Sequence, residues 1–280
     1  MSTLRSIAAT IGRVVAFVAL FGGLQFAAIV LLADPLVWLV GRTGQRIRID
    51  EVLVLAAALS ATVIMLRRVD GRPWRDVGLG RDAWRAGIVW RGWIIGFAAI
   101  GVASAALLAL GSLRIAPSEP GSSLAAAARI TLFLVPAALA EEVLCRGYLL
   151  TVIRDRIGTI GAVVTTSLVF GMLHISNPGW TAASVGIVAL AGIFLAAVRI
   201  AYQSLYAAWA AHVAWNWVMA VPLHAPVSGL RFESPDYRTV SEGPAWLTGG
   251  AWGPEGGVAA VLGMLACLYY LYARRRREES

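Results

Sequence analysis

Glu141 and Glu142 stand side by side in the apolar stretch Leu134–Leu150. Ionisable side chains are costly inside a membrane and usually mark function, so an adjacent pair asks for a reason. Neighbours on a helix point about 100° apart. Glu142 and Arg146 are four residues apart, so they share a face and can pair. Glu141 is five before Arg146 and points elsewhere, toward a cavity if there is one. Two histidines lie in other apolar runs. His174 closes the run Ser167–His174, with Phe170 one turn earlier. His212 lies within Tyr206–Ala220, with Asn216 one turn later on the same face.

Such a set suits hydrolysis of an amide. A partly desolvated glutamate serves as general base toward water. A histidine orients the water or carries a proton. A second histidine and an asparagine amide donate to the oxyanion. No serine-nucleophile motif occurs, and no His-Glu-x-x-His helix. Two histidines and a carboxylate could hold zinc with one open position. The lack of a further strong ligand besides the base itself favours a site that requires no cofactor, with zinc as the alternative. The null alternatives are a structural Glu142–Arg146 clasp and core histidines held by hydrogen bonds.

The elements that must carry these residues are membrane helices. Of 280 residues 59% are hydrophobic and 14% charged, against about 25% charged in soluble chains, and mean hydropathy is +0.73. Runs of about 20 apolar residues span a bilayer. Candidates lie near 14–33, 51–66, 92–112, 126–150, 160–175, 181–198, 203–221 and 256–273, which predicts an all-α polytopic transmembrane bundle of about eight helices. Residues 1–280 read as a single membrane domain, with accessory helices in 1–112 and the site-bearing core in 125–221. The first apolar run, Val14–Ala33, exceeds the roughly 7–15 residues of a signal segment and reads as a retained helix. Pro35–Val40 is too short to span and is placed at the interface. Segment 222–255, rich in Gly, Pro, Ser and charge, reads as an outer loop, with His224 in it. Cys145 and Cys267 have no metal or disulfide spacing; Cys145 reads as a small apolar filler. Most of the eleven tryptophans read as interface belts and packing; Trp215 and Trp217 flank Asn216.

From Glu141 to Arg154 is 13 residues, from Arg156 to His174 is 18, and from Arg199 to His212 is 13. At about 1.5 Å per residue, and allowing for turns, all three can reach one layer of the membrane.

All 24 basic residues are arginine, a composition that suggests a GC-rich bacterial genome. They sit between apolar runs, where they set topology, rather than in a patch for nucleic acid, so lipids and membrane-associated chains are the expected partners. The arginines of 67–91, Arg154, Arg156 and the tail Arg274–Arg277 put the C-terminus in the cytoplasm of a bacterial inner membrane; Arg42, Arg46 and Arg48 fall on the opposite side.

The ordered set Glu141-Glu142-Val-Leu-Cys-Arg146, Phe170-Gly-Met-Leu-His174 and His212-Val-Ala-Trp-Asn216 resembles the CPBP intramembrane proteases, which include the CAAX prenyl endopeptidases and the bacterial Abi-type proteins. All three elements of that family's pattern are present, in order, on separate helices. The resemblance implies an intramembrane endopeptidase acting on a membrane-associated peptide, such as a lipidated, CAAX-like one. It implies that Glu141 activates water with His174 beside it, that His212 and Asn216 stabilise the oxyanion, and that Glu142 and Arg146 support the site. The family is described both as metalloprotease and as glutamate-dependent. Competing classes are a non-catalytic scaffold or bacteriocin-immunity protein, which would need no such residue set, and a proton-coupled transporter, disfavoured because no paired broken helices appear in two matching halves.

Overall fold

A computed structural model of the chain describes residues 2–41 and 50–279; Arg42, Arg46 and Arg48 lie outside them. Long apolar runs with few breakers become long helices. These are α1 (Ser2–Gly41), α2 (Asp50–Ile64), α3 (Ala86–Ala109), α4 (Ser123–Glu142), α5 (Leu150–Met172), α6 (Ala182–Ala201), α7 (Leu205–Ala220), the short α8 (Ala245–Thr248) and α9 (Val258–Glu279). Polar residues start several of them. The Ser122 hydroxyl accepts from the Ala125 amide at the head of α4, Thr181 and Ser184 form a reciprocal capping box on α6, and Ser204 caps α7.

The protein is an all-α polytopic bundle. Six helical stretches among the described residues are long and apolar enough to cross a membrane. One of them, Ser123–Met172, makes two passes, because the chain turns at Gly158, whose φ of 76° lies in the left-handed region that glycine adopts without strain. Helix α7 has 16 residues and is shorter than a typical span. It is also among the most buried helices, and a helix enclosed by protein need not match the lipid thickness. The chain thus passes along the bundle about eight times.

Two sequence expectations change. Pro35–Val40 is not a separate interfacial segment; α1 runs through Pro35 to Gly41. Segment 222–255 is not a plain outer loop. It folds into a cap with strand β2 (Tyr237–Ser241), which pairs antiparallel with β1 (Leu113–Pro117), Leu113 opposite Ser241 and Pro117 opposite Tyr237. His224 is buried in this cap, stacked on Tyr237 with its Nδ1 2.8 Å from the Tyr237 carbonyl.

Small residues set the positions of the central helices. Gly92 and Gly96, one turn apart on α3, lie so close to the carbonyls of Ala207 and Ala211 on α7 that a Cβ on either glycine would collide with them. Close backbone approach of this kind is how helices pack where lipid provides no hydrophobic drive between them. Trp209 of α7 donates to the Val135 carbonyl of α4 at 2.9 Å, and Trp217 donates to the Thr131 hydroxyl at 3.1 Å. Helix α7 is therefore held by backbone contact with α3 and by indole hydrogen bonds to α4. At the periphery, α1 is joined to the core by Phe17 stacked on Tyr148, by the Tyr148 hydroxyl donating to Asp70, and by Arg13 paired with Asp70 at 3.0 Å.

Candidate active site

Helix α4 ends at Glu142 and passes without interruption into a wide π turn, Val143–Leu149, in which Gly147 leaves helical geometry. Such turns recur at functional sites. Glu142 and Arg146 face inward here, both with no solvent exposure. Oε1 of Glu142 accepts from Arg146 Nη1 at 3.0 Å and from His212 Nδ1 at 3.0 Å. The Arg146 guanidinium also lies over the Phe170 ring, 4.0 Å from its centre. A buried carboxylate, a cation and an imidazole thus pair, as buried charge requires, while Glu142 Oε2 and Arg146 Nε and Nη2 have no hydrogen-bond partner among the described residues.

Glu141 points elsewhere, into a cavity of about 230 Å³. Its side chain is 37% exposed, and its Oε2 lies 3.8 Å from Nε2 of His212. That oxygen is shielded by protein yet has no hydrogen-bond partner among the described residues. His212 therefore stands between the two glutamates, anchored through Nδ1 to Glu142 and presenting Nε2 to Glu141. Since a carboxylate only accepts, Nδ1 carries the hydrogen.

His174 and Asn216 line the same cavity. Nδ1 of His174 lies 2.8 Å from the Phe170 carbonyl. A carbonyl only accepts, so Nδ1 carries the hydrogen and the neutral ring keeps a lone pair on Nε2. Phe170 meets both imidazoles edge to face, at 4.9 Å for His174 and 5.8 Å for His212. The geometry brings Glu141, His174, His212 and Asn216 to one cavity, with Glu142 and Arg146 packed behind it. The histidine nearest Glu141 is His212; no direct contact joins Glu141 to His174. The remaining wall is mostly apolar, with Phe133, Leu134, Phe194 and Leu195 from α4 and α6, which suits an apolar peptide segment.

Among the described residues, no three His, Cys, Asp or Glu side chains group as metal ligands do. Nδ1 of each histidine is engaged, with Glu142 or with the Phe170 carbonyl, which leaves Nε2 of each ring for the chemistry of the cavity.

Residues 123–218 match the family described as Type II CAAX prenyl endopeptidase Rce1-like. Over this core, the chain is similar to the CAAX-type proteases. The chain is an integral membrane protein, and most of the residues that line the cavity lie in the matched core. No curated protein matches the chain.

The CAAX-type core does not supply the whole cavity wall. Val227, Ser228, Leu230 and Phe232 of the cap line it, as do Glu51 and Glu255; Asn177, inside the core, lines it too. Glu255 is buried, and its Oε2 accepts from the Trp215 indole at 2.7 Å. Its Oε1 accepts from the Ser228 amide at 2.5 Å and the Ser228 hydroxyl at 2.6 Å. Asn177 donates to the Ser228 carbonyl at 2.9 Å. Trp215 precedes Asn216, so Glu255 couples the cap to the helix that carries the site. Sequence reasoning missed Glu255 because a glutamate in Gly-Pro-Glu-Gly-Gly reads as a solvated turn. Asn177 was missed because Asn-Pro-Gly reads as a loop. No local signal distinguishes either residue.

Proposed function

We propose that the protein is a glutamate-dependent intramembrane endopeptidase that needs no metal and cleaves a membrane-associated peptide. The observation that carries this reading is the convergence of Glu141, His174, His212 and Asn216 on one cavity, backed by the buried Glu142–Arg146 pair. Glu141 takes a proton from water as the water oxygen bonds to the scissile carbonyl carbon. His174 Nε2, with its lone pair, accepts a hydrogen bond from that water and orients it. The carbonyl oxygen becomes an oxyanion, stabilised by the Asn216 amide and by His212, whose Nε2 donates when the ring is cationic; Glu142 supplies the countercharge. The carbon–nitrogen bond then breaks. Glu141 returns its proton to the departing nitrogen, leaving a carboxylic acid and an amine. Preorganised donors of this kind are worth most in a site shielded from bulk water.

The all-arginine composition and arginine-rich tail support a bacterial inner membrane with a cytoplasmic C-terminus. The test is cleavage of a fluorogenic peptide library, with lipidated members, by detergent-purified wild type and Glu141→Gln, with and without a chelator. The reading expects cleavage by wild type alone, unchanged by the chelator. Equal cleavage by both proteins refutes Glu141 as the base. Activity lost to the chelator and restored by zinc refutes the metal-free mechanism.

A further inference from the structure

The arginines of the described residues gather mostly at one end of the bundle, and the cavity is lined from the other. Sixteen of the 24 are Arg5 and Arg13 near the start of α1, the seven from Arg67 to Arg91, Arg154 and Arg156 near the α5 turn, Arg199 at the end of α6 and the four of the C-terminal tail. Contacts gather these segments at one end. Arg13 pairs with Asp70, Arg72 with Asp155 at 2.5 Å, Arg199 reaches the Asp76 carbonyl at 3.4 Å, and Arg274 lies over the Tyr202 ring. Arg146 is buried mid-bundle.

The opposite end carries β1, β2 and the cap. Arg114 pairs there with Glu242, Arg129 with Glu233, and the Ser123 hydroxyl donates to Asp236. With Arg231 and Arg238 it holds four arginines among the described residues. The cavity belongs to this end. It is lined by Val227, Ser228, Leu230 and Phe232, by Asn177 after α5, by Glu51 at the start of α2 and by Glu255 before α9, and no residue of the arginine-rich end lines it.

Arginine in short loops is retained on the cytoplasmic side. We infer that the cavity opens on the non-cytoplasmic face, and that the peptide it takes is presented from that face. The substrate class is then an exported or outer-leaflet-anchored chain, not a cytosolic tail. The substrate half of the inference rests on the protease reading; the orientation does not.

The experiment labels single introduced cysteines in intact cells with a membrane-impermeant maleimide, using wild type as the blank. Glu119→Cys reports the cap end and Asp82→Cys the arginine-rich end, and neither touches the cavity or removes an arginine. Labelling of Glu119→Cys in intact cells, with Asp82→Cys labelled only after permeabilisation, is the expected result; the reverse overturns the orientation. A fluorescent protein fused after Ser280 checks the same point on the unsubstituted chain. Fluorescence is expected, and its loss with gain of a fused alkaline phosphatase's activity overturns the inference. The best-cleaved library peptide is then tethered by a single-span anchor to either face. Cleavage on the outer face alone, abolished by Glu141→Gln, is expected; cleavage on the cytoplasmic face alone overturns the substrate class. The labelling needs no substrate, so failure of the protease reading is seen separately as loss of all cleavage with the labelling pattern unchanged.

Discussion

Adjacent glutamates with opposite duties predict that two isosteric substitutions one residue apart will separate stability from activity. Glu142→Gln keeps the volume and one acceptor but removes the charge between Arg146 and His212. Both hydrogen bonds fall on a single oxygen, at 3.0 Å each. The glutamine can keep that oxygen in place only by placing its NH₂ at Oε2, a buried position that has no hydrogen-bond partner among the described residues. Arg146 then stays buried without a countercharge, and its contact with Phe170 is the same before and after and compensates nothing. Removing one partner of a buried pair costs about 3–5 kcal/mol. Glu141→Gln alters a carboxylate that is 37% exposed and makes only a 3.8 Å approach to His212. Pairs of that kind contribute at most about 1 kcal/mol, whereas loss of a general base slows reaction by about 10²–10⁴-fold. Unfolding by denaturant in detergent, followed through the eleven tryptophans, measures the first quantity; peptide cleavage in the same detergent measures the second. The reasoning fails if Glu142→Gln unfolds within about 1 kcal/mol of wild type, or if Glu141→Gln keeps its activity.

Three further outcomes are expected. Asn216→Ala should leave folding intact and lower kcat by an amount equivalent to about 3–4 kcal/mol, the usual loss for one oxyanion donor; an effect on KM alone would remove Asn216 from that role. Glu255→Gln places a donor against either the Trp215 indole or Ser228, and Trp215→Phe deletes the indole donor. The two changes should be non-additive in a double-mutant cycle of kcat, by about 0.5–3 kcal/mol, and full additivity would show that Glu255 does not act through Trp215. Gly96→Leu should separate α3 from α7 and abolish both folding and activity, because its side chain meets the Ala211 carbonyl. Gly87→Leu, where nothing lies within 4 Å of an added Cβ, should do neither, and similar thermal midpoints for the two variants would contradict the packing described.

Much of this protein is legible residue by residue. Apolar runs of bilayer length become helices because an unpaired backbone amide or carbonyl cannot be left in lipid. Glu141, Glu142, His174 and His212 stand out because ionisable groups in such runs are costly, and the four-residue spacing of Glu142 and Arg146 already places them on one face. Tertiary structure alone decides that His212 reaches both glutamates, since that depends on the rotation of α7 against α4. Gly92, Gly96 and Trp209 set that rotation through contacts distant in sequence. Tertiary structure alone also brings the Gly- and Pro-rich segment 222–255 and Glu255 over the cavity. Their hydrogen bonds to Trp215 and Asn177 join residues 40 and 51 positions apart, and no local pattern of hydropathy or charge records a partner that far along the chain.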